Sequence, residues 1–199
     1  MKRLILQMQM SVDGFVGSHQ NDDWQLWGWG ERSEWDEELK RDFNLHFERI
    51  ETILLSRNMA EEGYLNHWGK AAKRYPADQF YAFAKRITEL KKVVLTDKLK
   101  KSSWPRTEVH GGELGAAVRA LKSEAGGDIG VFGGAGFASA LIAAGVVDEF
   151  QFYINPAALG AGTRIFEASG FGKLKLLNAK AYPCGMVVSR YAKPETATA

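Results

Sequence analysis

Residues 128–132, Asp128-Ile129-Gly130-Val131-Phe132, form an apolar run that meets Gly133-Gly134-Ala135-Gly136-Phe137-Ala138. The run predicts a buried strand over 129–132, and the apolar pattern resumes as a helix over 136–144. Between them the glycines give access to backbone conformations closed to other residues. A helix that begins directly after a strand turns its free N–H groups and positive end toward one point, which suits a phosphate. A tight strand-to-helix connection that holds no ligand fits the same composition, and the residues alone leave both open.

Outward from this segment, strands and helices alternate. Residues 114–123 have helical periodicity, and Glu149-Phe150-Gln151-Phe152-Tyr153-Ile154 alternates until Asn155-Pro156 stops it. Leu4-Ile5-Leu6-Gln7-Met8-Gln9-Met10 reads as a buried strand. Asp13-Gly14 and Gly17 then turn the chain into an irregular segment, reaching Arg32, that holds Trp24, Trp27 and Trp29. Ser33 is a candidate N-cap, and Trp35, Leu39, Phe43 and Phe47 fall on one stripe, predicting a helix over 33–48. A short strand at 52–55, one or two helical turns within 59–67, an amphipathic helix over 77–90 and a central strand at 92–96 follow. Residues 174–181 and 187–191 read as an antiparallel pair around Pro183-Cys184-Gly185.

Helices alternate with strands first, and strands pair last. This predicts an α/β single domain over 1–193, with a mostly parallel central sheet flanked by helices and antiparallel C-terminal strands. Residues 194–199 are polar or small and are expected to form a flexible tail.

The 199 residues carry 26 basic and 24 acidic side chains, interleaved rather than clustered, so a nucleic-acid partner is not expected. The most apolar segment, 131–147, is interrupted by glycines, so no membrane span is expected either. The single cysteine, Cys184, and the absence of an apolar leader after Met1-Lys2-Arg3 fit a reducing cytoplasm. The four histidines lack metal-ligand spacing, and no metal is expected. Gly134 to Ser139 also partly matches the dinucleotide fingerprint of Rossmann proteins. Ser139 stands at its last position, however, and Asp148 and Glu149 come too early to reach a ribose.

Five segments in fixed order carry a wider resemblance: residues 10–17 (Met10-Ser11-Val12-Asp13-Gly14-Phe15-Val16-Gly17), 53–57, 93–96, 132–136 and 159–163 (Leu159-Gly160-Ala161-Gly162-Thr163). Together they resemble the dihydrofolate reductase superfamily, and more closely its bacterial branch similar to the reductase domain of riboflavin biosynthesis. The resemblance spans residues 2–191 and implies the dihydrofolate-reductase-like fold with NADPH lying across the strand ends.

Carried onto this sequence, the resemblance places Gly133, Gly134, Ala135, Gly136 and Phe137 at the cofactor pyrophosphate. It places Ser56, Arg57 and Asn58 at the adenosine end, where an Arg guanidinium can grip phosphate through two parallel hydrogen bonds. Thr96 and Lys98 are further phosphate ligands, although Asp97 between them would repel one. Val16 and Gly17 fall on the nicotinamide side, and Thr163 is a further cofactor-binding residue. Gln9, Trp24 and Tyr153 are expected at the substrate, while Trp24, Trp27 and Trp29 serve equally well as packing. Asp13 reads as a turn cap rather than a proton donor. Asp36, with Glu37 and Glu38 beside it, is the candidate proton donor, although favourable charge at a helix start explains all three.

The expected activity is NADPH-dependent hydride transfer to a pterin-like or other small heterocyclic or carbonyl substrate. A non-catalytic dinucleotide-binding regulatory protein and an interaction protein using the tryptophan-rich loop are the alternatives. A homodimer is expected from the terminal strands and the exposed apolar area.

Overall fold

The structure, a computed structural model, describes residues 1–20, 24–26, 34–61, 63–166 and 172–194. Trp27, Trp29, Arg32, Ser33 and all of the expected tail except Pro194 lie outside the described residues.

The chain folds as β1 (Leu4–Met10), α1 (Glu37–Phe47), β2 (Ile50–Leu55), α2 (Arg57–Glu61), α3 (Tyr64–Arg74), a 3₁₀ turn (Gln79–Tyr81), α4 (Ala82–Glu89), β3 (Lys91–Leu95) and β4 (Thr107–His110). It continues with α5 (Leu114–Ser123), β5 (Asp128–Phe132), α6 (Ala135–Ala143), β6 (Glu149–Ile154), β7 (Lys175–Ala181) and β8 (Val187–Ala192). The sheet has eight strands in the order β4-β3-β2-β5-β1-β6-β8-β7. β1 to β6 run parallel, and β8 pairs antiparallel with both β6 and β7.

β1 shows why the parallel strands read as continuous apolar runs: helices cover both faces of the sheet, so both sets of alternating side chains are buried. Ile5 packs with α1, α3 and α4 residues such as Phe43, Trp68 and Phe83, whereas Leu4 and Leu6 pack with Val118 of α5 and Leu141 of α6. Leu39, Phe43 and Phe47 of the expected stripe are buried on α1, but the helix starts at Glu37 with Asp36 rather than Ser33 as its N-cap, so Trp35 precedes it. Its aromatic rings interlock: Phe43 meets Phe83 edge-on at 5.1 Å, and Phe47 lies 5.9 Å from Phe132.

Three local readings change. β4 was not foreseen, because its four half-exposed residues carry almost no periodic signal. Gly63, at φ 91°, separates α2 from α3, and α3 runs on to Arg74 through a stripe that buries Leu65 and Trp68. The helix expected over 77–90 begins as a 3₁₀ turn capped by Asp78, whose carboxylate accepts the Phe80 N–H at 2.8 Å. The turn between β7 and β8 falls where Pro183-Cys184-Gly185 placed it, with Gly185 at φ 89° and its N–H bonded to Tyr182 O at 2.9 Å. No helix among the described residues is long and apolar enough to cross a membrane.

Candidate functional site

The strand order gathers loops that are far apart in sequence. β3, β2, β5 and β1 are successive neighbours and parallel, so residues 96–98, 56–58, 133–137 and 11–17 leave the sheet at the same edge. Three inter-strand spacings separate the outer pair, roughly 14 Å. Open parallel sheets bind ligands at this edge.

At its centre, Gly134 is the N-cap of α6, with no side chain bonded to the helix start. By contrast, the Asp36 carboxylate caps α1, and the Glu113 carboxylate accepts the Gly115 and Ala116 N–H groups of α5. The first turn of α6 also lacks acidic residues, so its N–H groups and positive end stay available to an anion. Contrary to the conformational role expected of these glycines, Gly133, Gly134 and Gly136 have no positive φ, and Gly134 is extended at φ −72°, ψ 173°. Their smallness matters instead. A Cβ on Gly134 or Gly136 would project into open space, with no atom within 4 Å, whereas a Cβ on Gly133 would meet Phe137 Cδ1 at 2.6 Å. An uncapped helix start beside open space at Gly134 and Gly136 fits a dinucleotide pyrophosphate.

On the β1 side, the 11–17 loop is stitched to the loop after β6. Asp13 accepts the Ser11 hydroxyl at 2.6 Å, the Leu159 N–H at 3.1 Å and the Gly160 N–H at 2.7 Å. The Ser11 hydroxyl, then the Gly160 N–H, lower its pKa to about 2. Asp13 thus ties two loops rather than only capping its own turn. Val16 N donates to Thr163 O at 2.8 Å, and Thr163 N donates to Gly17 O at 2.9 Å. Gly162 makes this pairing fit, since a Cβ there would stand 2.3 Å from Gly17 O.

Between this loop, the glycines and α1 and α3 lies a cavity of about 590 Å³, a size suited to a small organic ligand. It brings together Gln9, Val16, Gly133, Gly134, Ala135 and Tyr153 of the expected site residues. Its walls also include Gln7, Trp35, Tyr64, His67, Trp68 and Phe132, none of which had been singled out for the site. The legible signal was the pair of glutamines alternating in an otherwise apolar strand. Trp35 stacks on Tyr153 with centroids 5.5 Å apart and planes 3° apart. Burial raises the phenol pKa of Tyr153 well above its ordinary value. Trp24 is half-buried and is not among the lining residues.

Asp36 does not line the cavity. Its carboxylate accepts the Leu39 N–H at 2.8 Å and the Cys184 N–H at 3.0 Å. Partial burial opposes its charge, but these backbone donors outweigh burial and hold its pKa below the usual value. The structure gives Asp36 the work of a helix cap away from the cavity. Among the described lining residues there is no carboxylate.

At the neighbouring strand ends, the Ser56 hydroxyl accepts the Met59 N–H at 3.1 Å and so starts α2, while Asn58 is exposed. Arg57 is paired with Glu61 one turn along α2, so a phosphate would have to displace that carboxylate. Thr96 Oγ1 accepts the Lys98 N–H at 3.1 Å, and Lys98 is exposed. Asp97 turns to the Gly112 N–H at 2.8 Å. These residues share the edge with the glycines but do not line the cavity.

Among known proteins, the chain is 27% identical over 189 residues to the uncharacterized protein YyaP of Bacillus subtilis strain 168, covering 94% of this chain and 92% of that one. A protein of Shewanella sp. PV-4 assigned to riboflavin biosynthesis superposes with a TM-score of 0.66 at 14% identity, covering 96% and 98% of the two chains. Dihydrofolate reductase from Enterococcus faecalis, solved with NADP(H) and RAB-propyl, superposes with a TM-score of 0.58 at 14% identity, covering 97% of each. These likenesses show a dihydrofolate-reductase-like fold. With the family profile matched over residues 2–188, the chain belongs to the RibD C-terminal domain family.

Proposed function

We propose that this protein is an NADPH-dependent reductase acting on a pterin-like or other small heterocyclic or carbonyl substrate. One observation carries the reading: an aromatic-walled cavity of about 590 Å³ adjoins an uncapped helix start at the carboxyl edge of parallel strands. Gly133, Gly134, Ala135 and Gly136 would hold the pyrophosphate, with Arg57, Thr96 and Lys98 toward the adenosine end and Val16 and Gly17 toward the nicotinamide. When bound, the cofactor supplies the hydride. The chain's own part is to orient a flat substrate between the aromatic walls and to exclude water from it. His67, which meets Trp68 edge-on at 4.6 Å, lines the cavity with a ring N–H and is the candidate proton source.

The test is a titration with NADPH followed by tryptophan fluorescence, then NADPH absorbance with dihydrofolate and a panel of pteridines and pyrimidinediones. Saturable binding and oxidation by a panel member support the reading. No binding at millimolar cofactor sinks it, and binding without turnover favours a regulatory dinucleotide-binding protein.

A further inference from the structure

The two glutamines of β1 sit two residues apart, on the face of the strand that looks toward the cavity. A carboxamide has a donor end and an acceptor end, and in a free side chain they interchange by rotation. Here neither side chain has that freedom.

Gln7 is fixed from the neighbouring strand. Its Nε2 donates to Gln151 Oε1 at 2.8 Å, and Gln151 Nε2 donates to Glu149 Oε1 at 2.9 Å. An ionised carboxylate only accepts, so the Gln151 amide has one allowed orientation, which dictates that of Gln7. Glu149 is buried, yet Arg190 grips the same oxygen through Nε at 2.9 Å and a terminal nitrogen at 2.6 Å. The relay therefore ends on a locked charge, and Gln7 keeps its Oε1 for the cavity.

Gln9 is fixed with the opposite polarity. The Leu26 N–H donates to Asn155 Oδ1 at 2.7 Å, while Asn155 Nδ2 donates to the Tyr153 and Met10 carbonyls at 3.3 and 3.4 Å. Backbone groups cannot exchange these roles, so Asn155 must present Nδ2 to Gln9 Oε1, at 3.0 Å. The remaining Gln9 Nε2 is buried with no partner among the described residues. A buried N–H donor left unpaired is rare in native proteins and points to a missing acceptor.

We propose that Gln7 and Gln9 are the specificity-determining residues of the cavity. They read the polar edge of a flat ring that offers an N–H to Gln7 Oε1 and an acceptor to Gln9 Nε2. Gln151, Glu149 and Asn155 are positioning residues that set the polarity of the pair. The proposal rests on the reductase reading above, which says that a small ring occupies this cavity, and it adds which edge is recognised and by which atoms.

The test uses lumazine (pteridine-2,4-dione) and 1,3-dimethyllumazine, in which methyl groups replace the ring N–H donors. Their dissociation constants are read from tryptophan quenching on the wild type, Gln9→Glu, Gln7→Leu and Gln151→Leu, with NADPH affinity measured on the same samples. Gln9→Glu keeps an oxygen for Asn155 and, when ionised, replaces the unpaired donor by a charged acceptor. Lumazine should bind the wild type about tenfold tighter than its dimethyl analogue and should weaken about tenfold or more in Gln9→Glu. In Gln7→Leu and Gln151→Leu the ratio between the two probes should fall toward one while NADPH affinity holds. A purely structural role for Gln151 would weaken both probes equally and leave the ratio unchanged, which overturns the assignment. So does failure of the wild type to bind lumazine or to discriminate the pair. Loss of NADPH binding in the wild type would instead count against the reductase reading, and the probe ratio still judges the glutamines.

Discussion

The Asp36 carboxylate accepts the backbone N–H of Cys184 at 3.0 Å, tying the first turn of α1 to the turn between β7 and β8. Its other oxygen accepts the Leu39 N–H at 2.8 Å. Asp36→Ala should therefore cost about 1 to 2 kcal/mol in urea unfolding, as for other lost helix caps. Asp36→Asn, which can still cap, should leave NADPH oxidation near the wild-type rate. His67→Gln should lower kcat roughly a hundredfold or more if His67 delivers the proton. A collapse of kcat in Asp36→Asn with His67→Gln unaffected would return the donor role to Asp36.

Gly134 and Gly133 should respond in opposite ways. Gly134→Val has an allowed φ of −72° and no protein atom within 4 Å of its new Cβ, so the fold should survive while dinucleotide binding is lost. Gly133→Ala drives a Cβ to 2.6 Å from Phe137 Cδ1 and should cost about 1 to 3 kcal/mol of stability through overpacking. Circular dichroism and NADPH titration of both variants separate the effects. Wild-type affinity in a folded Gly134→Val protein would show that the cradle is misassigned.

Arg57 is held by Glu61. Arg57→Ala should weaken NADPH roughly ten- to hundredfold, by removing a charge-assisted contact of about 1.5 to 3 kcal/mol, with less effect on NADH. Glu61→Gln should tighten NADPH by freeing the guanidinium. Equal losses for the two cofactors in calorimetry would pass the adenosine phosphate to Thr96 or Lys98.

Asp13 carries a pH signature. Its pKa in the folded protein is about 2, below the ordinary value of 3.8, so its stabilising contribution is complete above about pH 4 and lost as pH falls from there toward 2. Asp13→Asn should lose that part of the acid sensitivity and be less stable than the wild type at pH 7. Thermal unfolding across pH 2 to 7 checks this, and parallel curves for the two proteins would contradict it.

β7 is an edge strand in the sheet order, and Leu174, Leu176 and Leu177 are exposed on or beside it. A homodimer that covers this edge is the expected assembly. Sedimentation should show a dimer that dissociates in Leu176→Glu; a concentration-independent monomer at high micromolar protein rejects the proposal.

The periodic elements were legible in the residues. β1, α5 and β6 were placed to the residue, because a strand buried on both faces and a helix with one apolar stripe write their periods directly into the chain. The switch from parallel to antiparallel pairing at the C-terminus was legible for the same reason. β4 was not, because four half-exposed residues carry too little pattern.

The site divided differently. The glycine segment after β5 and the alternation of Gln7 and Gln9 belong to the sequence, since they are local. The cap role of Asp36 is local, through the Leu39 N–H three positions on, whereas its second partner, Cys184, lies 148 positions away and was decided by the tertiary structure. The polarity of Gln7 and Gln9 likewise depends on Gln151 and Asn155, 144 and 146 positions away. A side chain's type fixes which hydrogen bonds it can make, whereas the packing of strands and helices fixes which it does make. For that reason the sequence determined which donors, acceptors and glycines were present, and only the folded chain brought them to one sheet edge and gave a pair of amides direction.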